Sequence, residues 1–219
     1  VSSLTGACLG LAGALIQLST RSTLGDPNLF GIGGGAAIFL AACAAGLLVV
    51  TEIGIFLGCV FSSLGVSLIL GGLVSTRDLS PVKLAIMGIA LSALMVSIGI
   101  SVMSHGRVFP TQVIGLIAGS FSGSNWEMAG YMLVTFLFSI GLAIGLCKNF
   151  FPIMLGDTLS RSLGVNAIFI RYLAMGLVGI LAGASVYAGG LIGFVGLISP
   201  HVSRRMFGNL PINLVVASA

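Results

Sequence analysis

Charged side chains are what this sequence lacks most. Only 6% of its 219 residues are Asp, Glu, Lys or Arg, and 57% are hydrophobic. Soluble domains carry about 25% charged residues, so a chain this poor in charge cannot cover a surface that faces water. The composition therefore excludes a soluble domain and predicts an all-α fold, a polytopic transmembrane helical bundle.

Groups that carry catalysis or bind nucleotides are also missing. We find no catalytic constellation and no phosphate-binding loop of the form Gly-x4-Gly-Lys-Ser/Thr. The Gly-rich run Gly31–Gly35 lies in an apolar segment with no strand before it, which favours helix packing over nucleotide binding. We therefore expect no enzyme activity and no cofactor. If this protein uses ATP, another chain hydrolyses it. The nine Lys and Arg residues are scattered and make no patch for nucleic acid.

Metal-ligating residues show no metal-type spacing. The four cysteines lie far apart in apolar stretches, where they are typical of small buried hydrophobic residues. His201 follows Pro200 near a predicted helix end, and the other histidine, His105, is predicted on the opposite side of the membrane. We therefore predict a structural role for His201 and no metal site. The cysteines are Cys8, Cys43, Cys59 and Cys147.

Long apolar runs dominate the chain. A helix that crosses a membrane needs about 20 apolar residues, and the runs predict seven to eight spans in a single transmembrane domain, residues 1–219. Apolar runs reach both ends, so we expect a piece truncated within membrane segments. The predicted spans are Leu4–Ser19, Phe30–Val50, Ile53–Leu73, Val82–Ser104, Met128–Leu146, Ile168–Ala188, Leu191–Met206 and Leu210–Ala219.

The positive charges are distributed asymmetrically about these spans. If the spans alternate in direction, eight Lys and Arg residues fall on one side and only Arg107 falls on the other. Cytoplasmic loops carry the excess of Lys and Arg, so the side with eight is predicted to be cytoplasmic. The eight are Arg21, Arg77, Lys83, Lys148, Arg161, Arg171, Arg204 and Arg205.

All five acidic residues lie at or near predicted span ends. Carriers driven by protons or sodium usually place ionisable groups deep in the bundle, so this pattern argues against a secondary transporter. That class, and a membrane anchoring subunit that transports nothing, stay as alternatives. The five acids are Asp26, Glu52, Asp78, Glu127 and Asp157.

Three stretches are too specific for general helix packing. In Gln17–Gly35 a polar turn with a proline leads into a Gly-dense helix start, and Gly189–Arg205 combines glycines, a Pro-His pair and an Arg pair. The third, Leu155–Gly164, is amphipathic, with leucines at every fourth position and polar residues between them. Its spacing fits a helix docked in another protein's groove and fits equally a helix lying on lipid.

In their order and separation along the chain, these stretches resemble the permease family of binding-protein-dependent ABC importers for ferric siderophores, haem and cobalamin. The stretch nearest the C-terminus matches the family pattern almost throughout Gly190–Arg204. Ser22-Thr23 stands where the family has Asn-Pro, which leaves the carried chelate undetermined. Gly25 and Ser160 likewise stand where the family has Ala. The other matching residues are Gln17, Leu24, Asp26-Pro27, Phe30-Gly31, Gly35-Ala36, Leu155-Gly156-Asp157 and Leu163-Gly164.

The resemblance implies a permease with ten spans, of which seven to eight are present here. Two permeases, identical or paralogous, would surround a path lined by Val82–Ser104, in a bacterial cytoplasmic (inner) membrane. An ABC ATPase subunit would bind below, an extracytoplasmic substrate-binding protein would dock outside, and the cargo would be a ferric siderophore or similar chelate.

The resemblance also assigns roles to individual residues. It favours docking on the ATPase over lipid contact for Leu155–Gly164, and it gives the other two stretches a structural role. The ATPase-coupling residues are Leu155, Gly156, Asp157, Leu159, Ser160, Arg161, Leu163 and Gly164. The structural residues of the family motifs are Pro27, Gly31, Gly35, Gly190, Gly193, Phe194, Gly196, Pro200, His201 and Arg204.

Overall fold

All regular structure in the described part of the chain is helical. The computed structural model describes residues 1–20, 22–76, 81–105, 115, 119–154, 160, 166–208 and 210–219. The predicted all-α class is confirmed. The helices within these ranges are α1 (Ser2–Thr20), α2 (Ile32–Ala44), α3 (Glu52–Thr76), α4 (Pro81–His105), α5 (Trp126–Met154), α6 (Ala167–Gly189), α7 (Val195–Phe207) and α8 (Pro211–Ser218).

Five of these helices are long and apolar enough to cross a membrane. They are α1, α6 and the apolar parts of α3, α4 and α5, each between 19 and 28 residues long. At 1.5 Å per residue these lengths match a hydrocarbon core about 30 Å thick. The chain is therefore a multi-pass membrane protein, as its composition predicts.

Two predicted spans are shorter in the structure. The run Phe30–Val50 contains only the 13 residues of α2, and the run Leu191–Met206 contributes to α7, also of 13 residues. Each of these helices covers about 20 Å, which is too short to cross the membrane alone. The left-handed conformation of Phe194, with φ 68°, prevents α7 from continuing upstream. The start of α2 follows Gly31, with φ 74°, and its early end at Ala44 is followed by Gly46, with φ 73°.

The core lies along α1 and α6. About four fifths of α1 is buried within the bundle, where it packs against α5, α6, α7 and α8. In contrast, α4 is mostly exposed, with large apolar side chains such as Ile86, Ile89 and Leu94 at its surface. A bare apolar surface of this kind suits lipid or another membrane chain.

Glycines set the close contact between α3 and α6. The two helices run antiparallel: Gly183 packs on the backbone of Cys59 and Val60, and Gly179 packs one turn away on Leu64. Ser67 on α3 also donates a hydrogen bond to the Met175 carbonyl of α6. Small residues let the two backbones approach, so dispersion contacts can hold the helices together in lipid.

Replacing Gly183 by alanine is expected to destabilise the bundle by about 1–3 kcal/mol, the usual range for overpacking. The added methyl group would lie 2.7 Å from both the Cys59 carbonyl oxygen and the Val60 Cα. Thermal unfolding in detergent measures the effect. Gly176→Ala is the matched control, because it lies in the same helix and a methyl group there meets no atom within 4 Å. Equal melting temperatures for the two variants would contradict the prediction.

Candidate functional site: the junction of two short helices

Two non-helical segments meet inside the bundle, where polar side chains are enclosed. Residues 22–31 lead from α1 to α2, and residues 190–194 lead from α6 to α7. Asp26 is fully buried between them, and Gln17 and Asn28 are 2% and 8% exposed. Asp26 lies between two helices, near a span end as the sequence predicts, but its side chain is enclosed by the bundle. After α1 the chain folds back on it, so that Gly25 packs against Gln17.

The Asp26 side chain organises the turn that leads into α2. Its Oδ1 atom accepts hydrogen bonds from the backbone N–H groups of Asn28, at 2.8 Å, and Leu29, at 3.0 Å. The Asp26 carbonyl accepts from the N–H of Phe30 at 3.0 Å. Asp and Asn favour such turns because a short side-chain acceptor reaches the backbone two or three residues ahead.

Side-chain hydrogen bonds join this turn to the start of α7 and to α4. The Asn28 side-chain amide donates to the Ile192 carbonyl at 2.6 Å, and the Ser92 hydroxyl of α4 donates to the Asn28 carbonyl at 2.9 Å. The Gln17 amide of α1 lies 3.3 Å from the Gly25 carbonyl and 3.5 Å from the Gly196 carbonyl. These bonds provide side-chain donors for backbone carbonyls of the turn and of the start of α7, which lowers the cost of burying them.

Electrostatically, the junction brings one carboxylate to the positive end of a helix. The Asp26 Oδ2 atom lies beside Gly196 in the first turn of α7. Burial raises the pKa of this carboxyl group, and the backbone N–H groups around it, including those at the start of α7, oppose that rise. Oδ2 nevertheless lacks a partner with full hydrogen-bond geometry, as do Gln17 Oε1 and Asn28 Oδ1. No cluster of three or more His, Cys, Asp or Glu side chains occurs among the described residues. The junction can position helices, but it offers no set of protein ligands for a metal.

Several of the predicted motif residues meet at this junction. Pro27 touches Gly196, and the tight approach of Gly31 to Ser92 and of Gly35 to Ser62 leaves no space for a side chain. Gly190, with φ 75°, ends α6 and turns the chain back into the bundle.

The remaining motif residues are distributed along α7 and its entry. Gly193 is exposed, and a methyl group added there would meet no atom within 4 Å. His201 is exposed on α7. Pro200 is buried, Arg204 is half-buried in the last turn, and Phe194 is 60% exposed.

Sequence reasoning missed two participants in the site. Asn28 and Ser92 carry hydrogen bonds that span 164 and 64 residues of sequence, and no local pattern reveals such pairs. The Asp-Pro-Asn turn at 26–28 was the available signal, because these residues favour a side-chain-capped turn.

The predicted coupling stretch falls almost entirely outside the described residues. This applies to Leu155, Gly156, Asp157, Leu159, Arg161, Leu163 and Gly164. Ser160 is described, and its side chain is fully buried. Arg21, Arg77 and Arg107, on which the charge asymmetry partly depends, are also outside the described part. The docking role and the predicted sidedness therefore stay predictions.

A sequence model of the FecCD transport family matches residues 1–219, the whole chain. The chain belongs to the FecCD transport family. The resemblance found in the motifs is thereby confirmed. Among solved structures, this FecCD chain is similar to an inward-facing conformation of a putative metal-chelate type ABC transporter, with a TM-score of 0.83 and 26% identity over 98% of this chain and 70% of that one.

Curated relatives agree with this family. The chain is 33% identical over 210 residues to the Fe(3+)-citrate import system permease protein YfmD of Bacillus subtilis (strain 168), covering 93% of this chain and 60% of that protein. It is 32% identical to the iron(3+)-hydroxamate import system permease protein FhuB of the same strain, covering 94% and 54%. It is 29% identical to the vitamin B12 import system permease protein BtuC of Vibrio parahaemolyticus, covering 100% and 68%. The chain thus spans about 54–60% of the two Bacillus proteins.

Proposed function

We propose that this chain is the membrane-spanning permease part of an ABC importer and forms the translocation path for a ferric siderophore or a similar metal chelate. The match of the whole chain to the FecCD transport family carries the proposal. Relatives named as import permeases for iron citrate, iron hydroxamate and vitamin B12 support a bulky chelate as cargo. The chelate passes through the path without chemical change.

The energy for transport comes from partners. A separate ABC ATPase hydrolyses ATP below the permease, and a substrate-binding protein delivers the chelate from outside. A second permease, identical or paralogous, completes the path in the bacterial cytoplasmic membrane. The stretch Leu155–Gly164 transmits the ATPase motion to the bundle. Support for this stretch is its amphipathic spacing and its place in the family pattern.

The buried Asp26 makes secondary transport the alternative to consider. Acids that carry protons or ions through a membrane line a water-filled cavity or pair with other ionisable groups. Asp26 instead accepts hydrogen bonds from the backbone of its own turn and faces the start of α7. These partners suit a structural carboxylate, so the site favours the importer over an ion-coupled carrier.

Uptake into proteoliposomes tests the function. The full-length permease, reconstituted with its ATPase and its substrate-binding protein, is expected to import a radiolabelled ferric siderophore only when ATP is supplied on the side of the ATPase. An ATPase without its catalytic lysine serves as the control and should reduce uptake to background. Uptake driven by a proton or sodium gradient without ATP would support the secondary transporter, and membrane association without any uptake would support the anchoring subunit.

A further inference from the structure

The start of α7 lacks a capping side chain of its own. The residue before its first turn is Phe194, whose side chain makes no capping hydrogen bond. The first N–H groups of any helix have no partner within the helix, so they need acceptors from elsewhere. Asp26 Oδ2, which is buried and has no hydrogen-bond partner of its own, lies 3.1 Å from the position that a Cβ on Gly196 would occupy. It belongs to a segment 168 positions before Phe194 in the sequence.

We propose that the Asp26 carboxylate ties the turn before α2 to the first turn of α7, and that this tie positions the two short helices for transport. Oδ1 holds the turn through Asn28 and Leu29, and Oδ2 is left for α7. Only a carboxylate offers acceptors on both oxygens, and its negative charge matches the positive end of a helix. The second half of the proposal rests on the proposed transport function.

Other bonds hold the same segments together independently of Asp26. Asn28 donates to the Ile192 carbonyl, and Gln17 lies within reach of the Gly196 carbonyl. Loss of one Asp26 acceptor oxygen is therefore expected to loosen the junction locally without unfolding the bundle. A substitution at Asp26 therefore tests the junction itself, because the rest of the bundle should stay folded.

Asp26→Asn is the decisive variant, because asparagine has nearly the same shape but only one acceptor oxygen. In either orientation its NH2 group faces one of the two sets of backbone N–H donors. Amide hydrogen exchange of the full-length permease in detergent should therefore rise about tenfold in residues 28–32 or 194–198, since hydrogen bonds to charged groups are the stronger ones. Exchange in α3 should stay unchanged.

Asn125→Ala is the matched control. Asn125 caps the exposed start of α5 by accepting from the Met128 N–H at 2.7 Å, and its removal should raise exchange only in the first turn of α5. Exchange in Asp26→Asn equal to the wild type at both segments would overturn the tie. The tie would also be overturned if amide exchange rose only in residues 28–32 and stayed unchanged in residues 194–198, in both Asp26→Asn and Asp26→Ala. Asp26 would then cap only its own turn.

The effect on transport is measured as chelate imported per ATP hydrolysed in the reconstituted importer. A variant that merely reduces the amount of folded permease lowers the rate of chelate import and the rate of ATP hydrolysis together, and it leaves their ratio unchanged. A positioning role for Asp26 predicts a lower ratio at normal ATPase binding. An unchanged ratio together with raised exchange would overturn the link to transport. Absence of ATP-dependent uptake in the wild-type protein would instead contradict the proposed function, while the exchange result would stand.

Discussion

Replacement of Gly13 by alanine is expected to prevent the native packing of α1 and to remove most of the folded protein. Gly13 lies against the backbone of Gly196, and an added methyl group would overlap the Gly196 carbonyl oxygen and lie 2.6 Å from its Cα. No rotamer can relieve this clash, because the obstructing atoms belong to the backbone at the junction. We expect the free energy of unfolding to fall by more than about 3 kcal/mol, at the upper end of the effects of overpacking.

The control for Gly13→Ala lies seven residues earlier in the same helix. A methyl group at Gly6 meets nothing within 4 Å, so Gly6→Ala should fold normally. Both variants gain similar helix propensity from alanine, about 1 kcal/mol relative to glycine, so the comparison isolates the clash. The yield of monodisperse protein and the melting temperature in detergent measure the difference. Normal yield and melting of Gly13→Ala would show that α1 and α7 do not pack as closely as described.

Leu159→Asp is expected to abolish ATP-dependent uptake and association with the ATPase. Leu159 is the central leucine of the predicted coupling stretch Leu155–Gly164. In a groove of another protein, a buried carboxylate without a partner costs several kcal/mol and would dissociate the interface. The measurements are co-purification with the ATPase, uptake in proteoliposomes and the amount of permease in the membrane, which should stay normal.

Leu159→Met serves as the control, because methionine keeps an apolar side chain of similar volume and should preserve both association and uptake. Undiminished uptake by Leu159→Asp would contradict docking at this residue. Loss of membrane insertion in that variant, with the ATPase still bound to the protein that remains, would favour the lipid-facing interpretation of the stretch.

Composition and local pattern predicted much of the architecture. The scarcity of charge made a helical membrane bundle the expected fold, and Gly189-Gly190 correctly marked the end of α6. The family was predictable because Gly190–Arg204 preserves a long, specific pattern. The lengths of α2 and α7 were not predictable from hydropathy, because residues 45–50 after α2 and residues 191–194 before α7 are as apolar as a helix. The helix is interrupted there by backbone angles, with a positive φ at Gly46 and at Phe194.

The sequence alone therefore determined that this protein lies in a membrane, that it is helical and to which family it belongs. Each of these follows from composition or from residues adjacent in the chain. The tertiary structure decided where Asp26 lies. An Asp-Pro-Asn turn between two apolar runs is typical of a loop in water, yet here it folds back into the bundle and meets the start of α7. That burial depends on hydrogen bonds from Asn28 to Ile192 and from Gln17 to the Gly196 carbonyl, between residues more than 160 positions apart, which no local pattern encodes.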